Sequence, residues 1–172
     1  LLWRALILQF PQEMFDGTKQ TFERLKRPNT VEIIAAVGDK ILVQNQEQPE
    51  SSVFLSLPGG RGEAGEEPLV TAKREFLEET GYVSDDWELW RAIEPHGKME
   101  WTIYFYIARS CKKVQDAKLD AGERITNKLL SFDEFVMLSD DPEFRDREMV
   151  MQLLRLRLDT KKLEDFRKSI FE

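Results

Sequence analysis

Gly60-Arg61-Gly62-Glu63-Ala64-Gly65-Glu66-Glu67-Pro68-Leu69-Val70-Thr71-Ala72-Lys73-Arg74-Glu75-Phe76-Leu77-Glu78-Glu79-Thr80-Gly81-Tyr82 is the stretch that decides the fold. Its first part is a loop rich in glycine and acid. From Pro68 the pattern turns helical: proline suits a first turn whose N–H groups lack helical partners, and Leu69, Ala72 and Phe76 recur at helical spacing. Gly81 is placed to end the helix, because glycine enters the left-handed conformation without steric cost. On a helix of 3.6 residues per turn, Glu75 and Glu79 lie about 40° apart around the axis, and Glu78 brings the three within roughly 100°.

A glutamate run is ordinarily a solvated helix face. Three carboxylates on one surface nevertheless repel one another and raise each other's pKa unless positive charge sits among them. A divalent cation answers that need. Hard oxygen ligands suit magnesium or manganese, with phosphate oxygens completing the coordination. Arg74 can hydrogen-bond a carboxylate and fix its orientation.

The spacing separates these readings. Gly60, Glu66, Arg74, Glu75, Phe76, Glu78, Glu79, Gly81 and Tyr82 fill every defined position of a pattern: glycine, five residues, glutamate, seven residues, then Arg-Glu-apolar-residue-Glu-Glu-residue-Gly-apolar. At ordinary residue frequencies such a match arises by chance below about one time in 10^8 per starting position. The segment resembles the Nudix box.

That resemblance implies an α/β (α+β) Nudix fold, a mixed β-sheet sandwiched between α-helices, with an N-terminal β-hairpin extension. It implies magnesium, or manganese, held by Glu75, Glu78, Glu79 and the Gly59 carbonyl. Glu66 takes a supporting role and Arg74 orients the acids. Among the box residues, Glu78, Glu79 and Arg74 carry the catalytic expectation.

Within the family the chain is most similar to the ADP-ribose pyrophosphatase and nucleoside diphosphate sugar group. The features are the front hairpin, the segment from Phe22 to Pro28, Leu57-Pro58-Gly59-Gly60-Arg61 and a terminal helix after Pro142. The implied reaction is metal-dependent cleavage of a diphosphate linkage, ADP-ribose giving AMP and ribose 5-phosphate. Arg61 and Glu100 are the substrate-side candidates. A loop glutamate after the central strands is expected to approach the attacking water. Glu123 fits that place in chain order and Glu100 is its rival.

The chain departs from the group where Gln44-Asn45-Gln46-Glu47-Gln48-Pro49 replaces an aromatic-Arg-Pro segment, and where His96-Gly97-Lys98 follows Pro95. Other substrates therefore stay open: GDP-mannose, a triphosphate or a capped nucleotide. A non-catalytic nucleotide sensor is the competing class, and lost box acids would be its mark. All of them are kept.

The composition sets the bounds. With 172 residues, 41% of them hydrophobic, the chain suffices for one sizeable core and is short for two, so 1–172 is read as one domain; the resemblance implies that 1–28 is a dimerisation hairpin. A net charge of −7 disfavours sequence-independent attraction to nucleic acid, which depends on lysine and arginine displacing counterions. The partners expected are a nucleotide-sugar substrate and a second copy, with no nucleic acid and no membrane. The apolar start, Leu1 to Phe10, is interrupted by Arg4 and is too short to span a bilayer. One cysteine, Cys111, forms no internal disulfide, and a cytoplasmic location is the expectation. Cys111 has no acid–base partner in the pattern, and His96, the single histidine, reads as an exposed loop residue.

Around the box, strands are expected over Leu1 to Gln9 and Gln20 to Lys26, joined by a turn from Pro11 to Thr18. A second hairpin pairs Val31 to Val37 with Ile41 to Val43 through Gly38-Asp39. Further strands are expected over Val53 to Leu57, Trp87 to Ile93, Trp101 to Ala108 and Lys128 to Phe132. Helices are expected over Asp133 to Leu138 and Glu143 to Leu158.

Overall fold

Alternation in the strand following Asn29 explains the layering. In β3 (Thr30–Val37) the residues Val31, Ile33 and Ala35 point to one face, and Ile34 and Ala36 to the other; all five are buried. A strand apolar on both faces must be covered on both faces. A computed structural model describes residues 6–49, 51–119 and 121–172 and shows that cover.

The preceding hairpin is formed by β1 (Leu6–Glu13) and β2 (Lys19–Lys26), paired antiparallel with Leu6 opposite Lys26 and Glu13 opposite Lys19. After β3 come β4 (Lys40–Gln48), β5 (Ser51–Ser56), β6 (Gly59–Arg61) and the helix α1 (Pro68–Thr80). The next strands are β7 (Tyr82–Val83), β8 (Asp86–Ile93), β9 (Met99–Glu100), β10 (Ile103–Arg109), β11 (Lys112–Lys113) and β12 (Arg124–Leu130). The chain closes with α2 (Phe132–Met137), a short 3-10 turn, α3 (Arg147–Arg157) and α4 (Thr160–Phe171).

Among the described residues the main sheet runs β12-β4-β3-β10-β8, with β5 on β4 and β6 on β3. It is mixed because β10 runs parallel to β3 while β3–β4, β4–β12 and β8–β10 are antiparallel. Val31, Ile33, Ala35 and Leu42 pack with Ala72 and Phe76 of α1 on one face. Ile34, Ile41, Val43, Phe105 and Ile107 pack with Phe135, Met149, Leu153, Phe166 and Ile170 of the C-terminal helices on the other. A mixed sheet between helices is therefore observed. The front hairpin forms a separate small sheet with β9, Leu25 lying opposite Met99.

Several boundaries differ from the sequence expectation. The turn expected over Pro11 to Thr18 is shorter, because β1 continues through Glu13 and the reversal is closed by Met14 N–H donating to Thr18 O at 2.8 Å. Pro11 is tolerated because β1 is the outer strand, where a missing amide donor costs no central ladder bond. Leu1 to Ala5 lie outside the described residues.

Phe132 belongs to α2 and not to the strand before it: Ser131 caps the helix by accepting from Glu134 N–H, and Glu134 accepts from Ser131 N–H in return. The helix expected from Glu143 begins at Arg147. Residues 143–146 instead lie along the edge of β5, Leu55 N–H donating to Glu143 O and Arg145 N–H donating to Leu55 O. The sequence reading missed α4. Its signals are Asp159, which caps the helix by accepting from Lys162 N–H, and Leu163, Phe166 and Ile170 at helical spacing. No described helix is long and apolar enough to cross a membrane.

Candidate active site

Helix α1 ends where the sequence places its stop. Gly81 adopts φ 74°, its N–H donates to Leu77 O at 2.9 Å, and a Cβ there would fall 2.1 Å from Gln115 O. Phe76 and Ala72, both at 0% exposure, face the sheet and fix the helix rotation. That rotation turns Glu79 inward, 9% exposed, and leaves Glu78 at the surface.

Two donors meet the buried Glu79 carboxylate. Its Oε2 accepts from Gly59 N–H at 3.1 Å and from Gln44 Nε2 at 3.1 Å. Burial, with Glu75 and Glu123 adding repulsion, pushes its pKa up to about 8 against the lowering effect of those two bonds. Glu75 is also raised, first by burial and then by Glu78 and Glu123, although Arg74 acts the other way. Gly60 lies so close that a Cβ there would fall 2.3 Å from the Glu75 carboxyl carbon. A side chain at position 60 would have to displace the Glu75 carboxylate from this place.

Arg74 supplies the positive charge among the acids. Its Nε donates to Glu66 Oε1 and its Nη2 to Glu66 Oε2, both at 3.0 Å, a two-point contact. Nη1 lies 2.9 Å from Glu75 Oε1 and donates to Glu78 Oε2 at 3.1 Å, while Nη2 reaches Arg61 O at 3.2 Å. Glu66 is completed by Thr71 Oγ1 at 2.9 Å and Glu63 N–H at 3.0 Å. The Arg74 guanidinium beside it is the main cause of a Glu66 pKa lowered to about 2. One arginine thus ties the loop of the box to its helix.

Glu123 is half-buried, immediately before β12. The route that brings it here is a loop pinned to the end of α1: Lys118 N–H donates to Glu78 O at 2.7 Å, Val114 N–H to Gly81 O at 2.9 Å, and Asn127 Nδ2 to Thr80 O at 3.4 Å. Its charge is felt by both Glu75 and Glu79. Asp120, in the same loop, lies outside the described residues. Glu100 sits elsewhere, exposed in β9 and paired with Lys26 of the hairpin. Arg61 is exposed at the end of β6, in the loop part of the box.

The donor set fits a hard divalent cation: Glu79 is drawn to the Gly59 backbone, Glu75 is packed against Gly60, and every candidate ligand is an oxygen. Among the described residues no three acids form a ready-made metal shell. Arg74 meanwhile occupies Glu75 and Glu78.

Gln44 is the functional-site residue that sequence reading missed. It is completely buried, shares the Leu42 face of β4, and its Oε1 accepts from Gln46 Nε2 at 2.8 Å while its own amide reaches Glu79. The available signal was period two: Leu42 and Gln44 face α1 together, and a buried amide demands a partner. Other singled-out residues stand apart. His96 is exposed, and Cys111 is buried, its thiol pushed up to about 12 by burial. Trp87 packs on Phe76 at 5.8 Å, Trp90 on Phe166 at 4.8 Å, and Trp101 lies under Arg27 at 4.0 Å. Trp3 is outside the described residues.

Comparison with known proteins agrees with this geometry, since residues 26–153 match the NUDIX domain family. The chain belongs to the NUDIX family. Among its relatives, a methanol dehydrogenase activator of Bacillus methanolicus is 29% identical over 151 residues, covering 85% of this chain and 81% of that protein. An ADP-ribose pyrophosphatase of Bacillus subtilis (strain 168) is 25% identical over 150 residues, with the same coverage. An mRNA-decapping protein of African swine fever virus is 27% identical over 127 residues, 69% of this chain and 49% of its own length. A crystal structure of an ADP compounds hydrolase superposes with a TM-score of 0.69 at 20% identity, covering 94% of this chain and 97% of that one. With its box intact, this Nudix domain is a hydrolase.

The Glu66–Arg74 contact generates a pH prediction for this Nudix domain. A carboxyl depressed from 4.5 to about 2 contributes stability above its unfolded pKa, and the contribution is lost as pH falls through the folded value. Thermal melts are expected to show Glu66→Gln less stable than wild type at pH 7, with the gap narrowing between about pH 4.5 and 2. A gap constant over that range would contradict the assignment.

Proposed function

We propose that this Nudix hydrolase cleaves the diphosphate linkage of a nucleoside diphosphate sugar, ADP-ribose giving AMP and ribose 5-phosphate, with magnesium or manganese as its metal. The observation that carries the reading is the placing of Glu79 against Gly59 and of Glu75 against Gly60, with Glu123 near enough to add repulsion and Arg74 as the cation linking the box acids. Such a site has charge to offer a cation and, through it, a diphosphate. The Bacillus subtilis relative, an ADP-ribose pyrophosphatase, supports this substrate class.

Glu75, Glu78, Glu79 and the Gly59 carbonyl are the residues that would hold the metal. When bound, a divalent ion supplies charge neutralisation on phosphate oxygens and a more acidic attacking water. The protein's own contribution is orientation. Gly59 N–H and Gln44 fix one oxygen of Glu79, Arg74 steadies Glu75 and Glu78, and Glu123 takes the proton of the water that attacks phosphorus as the P–O–P bridge breaks. Arg61 and Glu100 lie toward the hairpin side and are assigned to the substrate.

The decapping relative supports a second reading, a capped nucleotide as substrate. The net charge of −7 weighs against an extended RNA. We further assign the hairpin to a homodimer. Leu6, Ile7, Phe22 and Leu25 leave between 37% and 63% of their surface exposed there, and an isologous pair would cover them.

Incubation with ADP-ribose, GDP-mannose, capped nucleotides and triphosphates should give the highest kcat/KM for ADP-ribose, lost with EDTA and restored by magnesium or manganese. In the same assay Glu79→Gln should lower turnover more than about 100-fold while its circular dichroism stays native. EDTA-resistant turnover would remove the metal assignment.

Glu123→Gln is expected to lower kcat by about 10²- to 10⁴-fold with little change in KM, and Glu100→Gln to do less. Near-normal kcat in Glu123→Gln at saturating substrate and metal would return the base to Glu100 or the box. Light scattering at micromolar concentration should give twice the chain mass, and a monomer under assay conditions would remove the dimer.

A further inference from the structure

Gly59 is reached through Leu57 and Pro58, and three different elements grip three consecutive residues. Gly59 N–H donates to Glu79 of α1 at 3.1 Å, and Pro58 O accepts from Ile33 N–H of β3 at 2.9 Å. Leu57 N–H donates to Asp146 Oδ2 at 2.5 Å. The third contact comes from 89 residues along the chain and from the sheet face opposite α1.

Its origin is the edge pairing of β5. Residues 143–145 accompany Leu55 through two backbone bonds, Leu55 N–H to Glu143 O at 2.9 Å and Arg145 N–H to Leu55 O at 3.0 Å. The next amide on that edge is Leu57, but the chain turns into α3 at Arg147, and Arg145 O accepts from Arg147 N–H at 2.8 Å. The Asp146 carboxylate accepts from Leu57 instead. Leu57 is 3% exposed, so without this acceptor its amide would be buried and unpaired. The Asp146 side chain caps none of the first amides of α3, as an ordinary helix-capping carboxylate would, and only its backbone carbonyl accepts from the helix, from Val150 N–H at 2.9 Å.

We propose that Asp146 is a positioning residue for the metal site: by accepting the Leu57 amide it sets the backbone that carries Gly59 against Glu79. This rests on the Nudix hydrolase reading above. Asp146 touches neither metal nor substrate. It acts through a hydrogen bond that asparagine can also accept and alanine cannot.

The test is Mn2+ binding to the full chain, followed by the electron paramagnetic resonance of free Mn2+. Wild type is expected to bind Mn2+, Asp146→Asn to keep the dissociation constant within about threefold, and Asp146→Ala to raise it about 10- to 100-fold. Leu57 amide hydrogen exchange, read in parallel, should quicken in Asp146→Ala and not in Asp146→Asn. Coupling of this kind is reciprocal, so Mn2+ should also slow Leu57 exchange in wild type, a readout independent of whether the alanine variant folds.

Unchanged Mn2+ affinity in a folded Asp146→Ala with a quickened Leu57 amide would overturn the positioning role, as would a wild-type Leu57 amide indifferent to saturating Mn2+. Equal weakening by asparagine and alanine would also overturn it, because the acceptor would then not be what matters. No Mn2+ binding by wild type would instead overturn the metal-dependent reading on which it rests.

Discussion

A buried carboxylate at the end of a helix is the constraint around which this domain is arranged. Glu79 can be turned inward only if something replaces the water it loses, because an unpaired charge in a low-dielectric interior is strongly disfavoured. Gly59 N–H and Gln44 supply that replacement from a loop and from a strand. Each demand travels outward. Gln44 must sit on the α1 face of β4, and Gly59 must be delivered by a backbone that β3 and Asp146 hold from opposite sides.

The second demand is charge. Glu75, Glu78 and Glu79 share one helix face with Glu123 close enough to add repulsion, and Arg74 answers only part of it because its two-point contact is made with Glu66. Burial first, and the neighbouring acids after it, keep the Glu75 and Glu79 pKa values raised in spite of the arginine and the donors. A fold that needed only stability would place apolar groups there. The retained repulsion is understandable as a site prepared for a cation, and the family membership shown over residues 26–153 accords with it.

The box was legible in the sequence because its chemistry is local. Pro68, Phe76, Glu79 and Gly81 lie within four turns of one helix, so 3.6-residue periodicity predicts their faces directly. Val31 to Val37 was legible as a strand for the same reason, since all its residues but Glu32 are apolar. Elements held by distant partners were not legible. Residues 143–146 look like a helix start after Pro142, yet the edge of β5 claims them. Gln44 lies just past the strand expected over Ile41 to Val43, and only the pairing of β4 with β5 and β12 carries it into the core. Glu123 had the right chain order, but its distance from the box is closed by the Lys118 and Asn127 contacts, which no local pattern encodes.

Crystals soaked in Mn2+ and examined by its anomalous scattering test the central claim most directly. The account predicts a peak at about 2.0–2.3 Å from oxygens of Glu75 or Glu79 and from the Gly59 carbonyl, abolished in Glu79→Gln. A peak elsewhere on the molecule, or one between the box acids that survives Glu79→Gln unchanged, would contradict it.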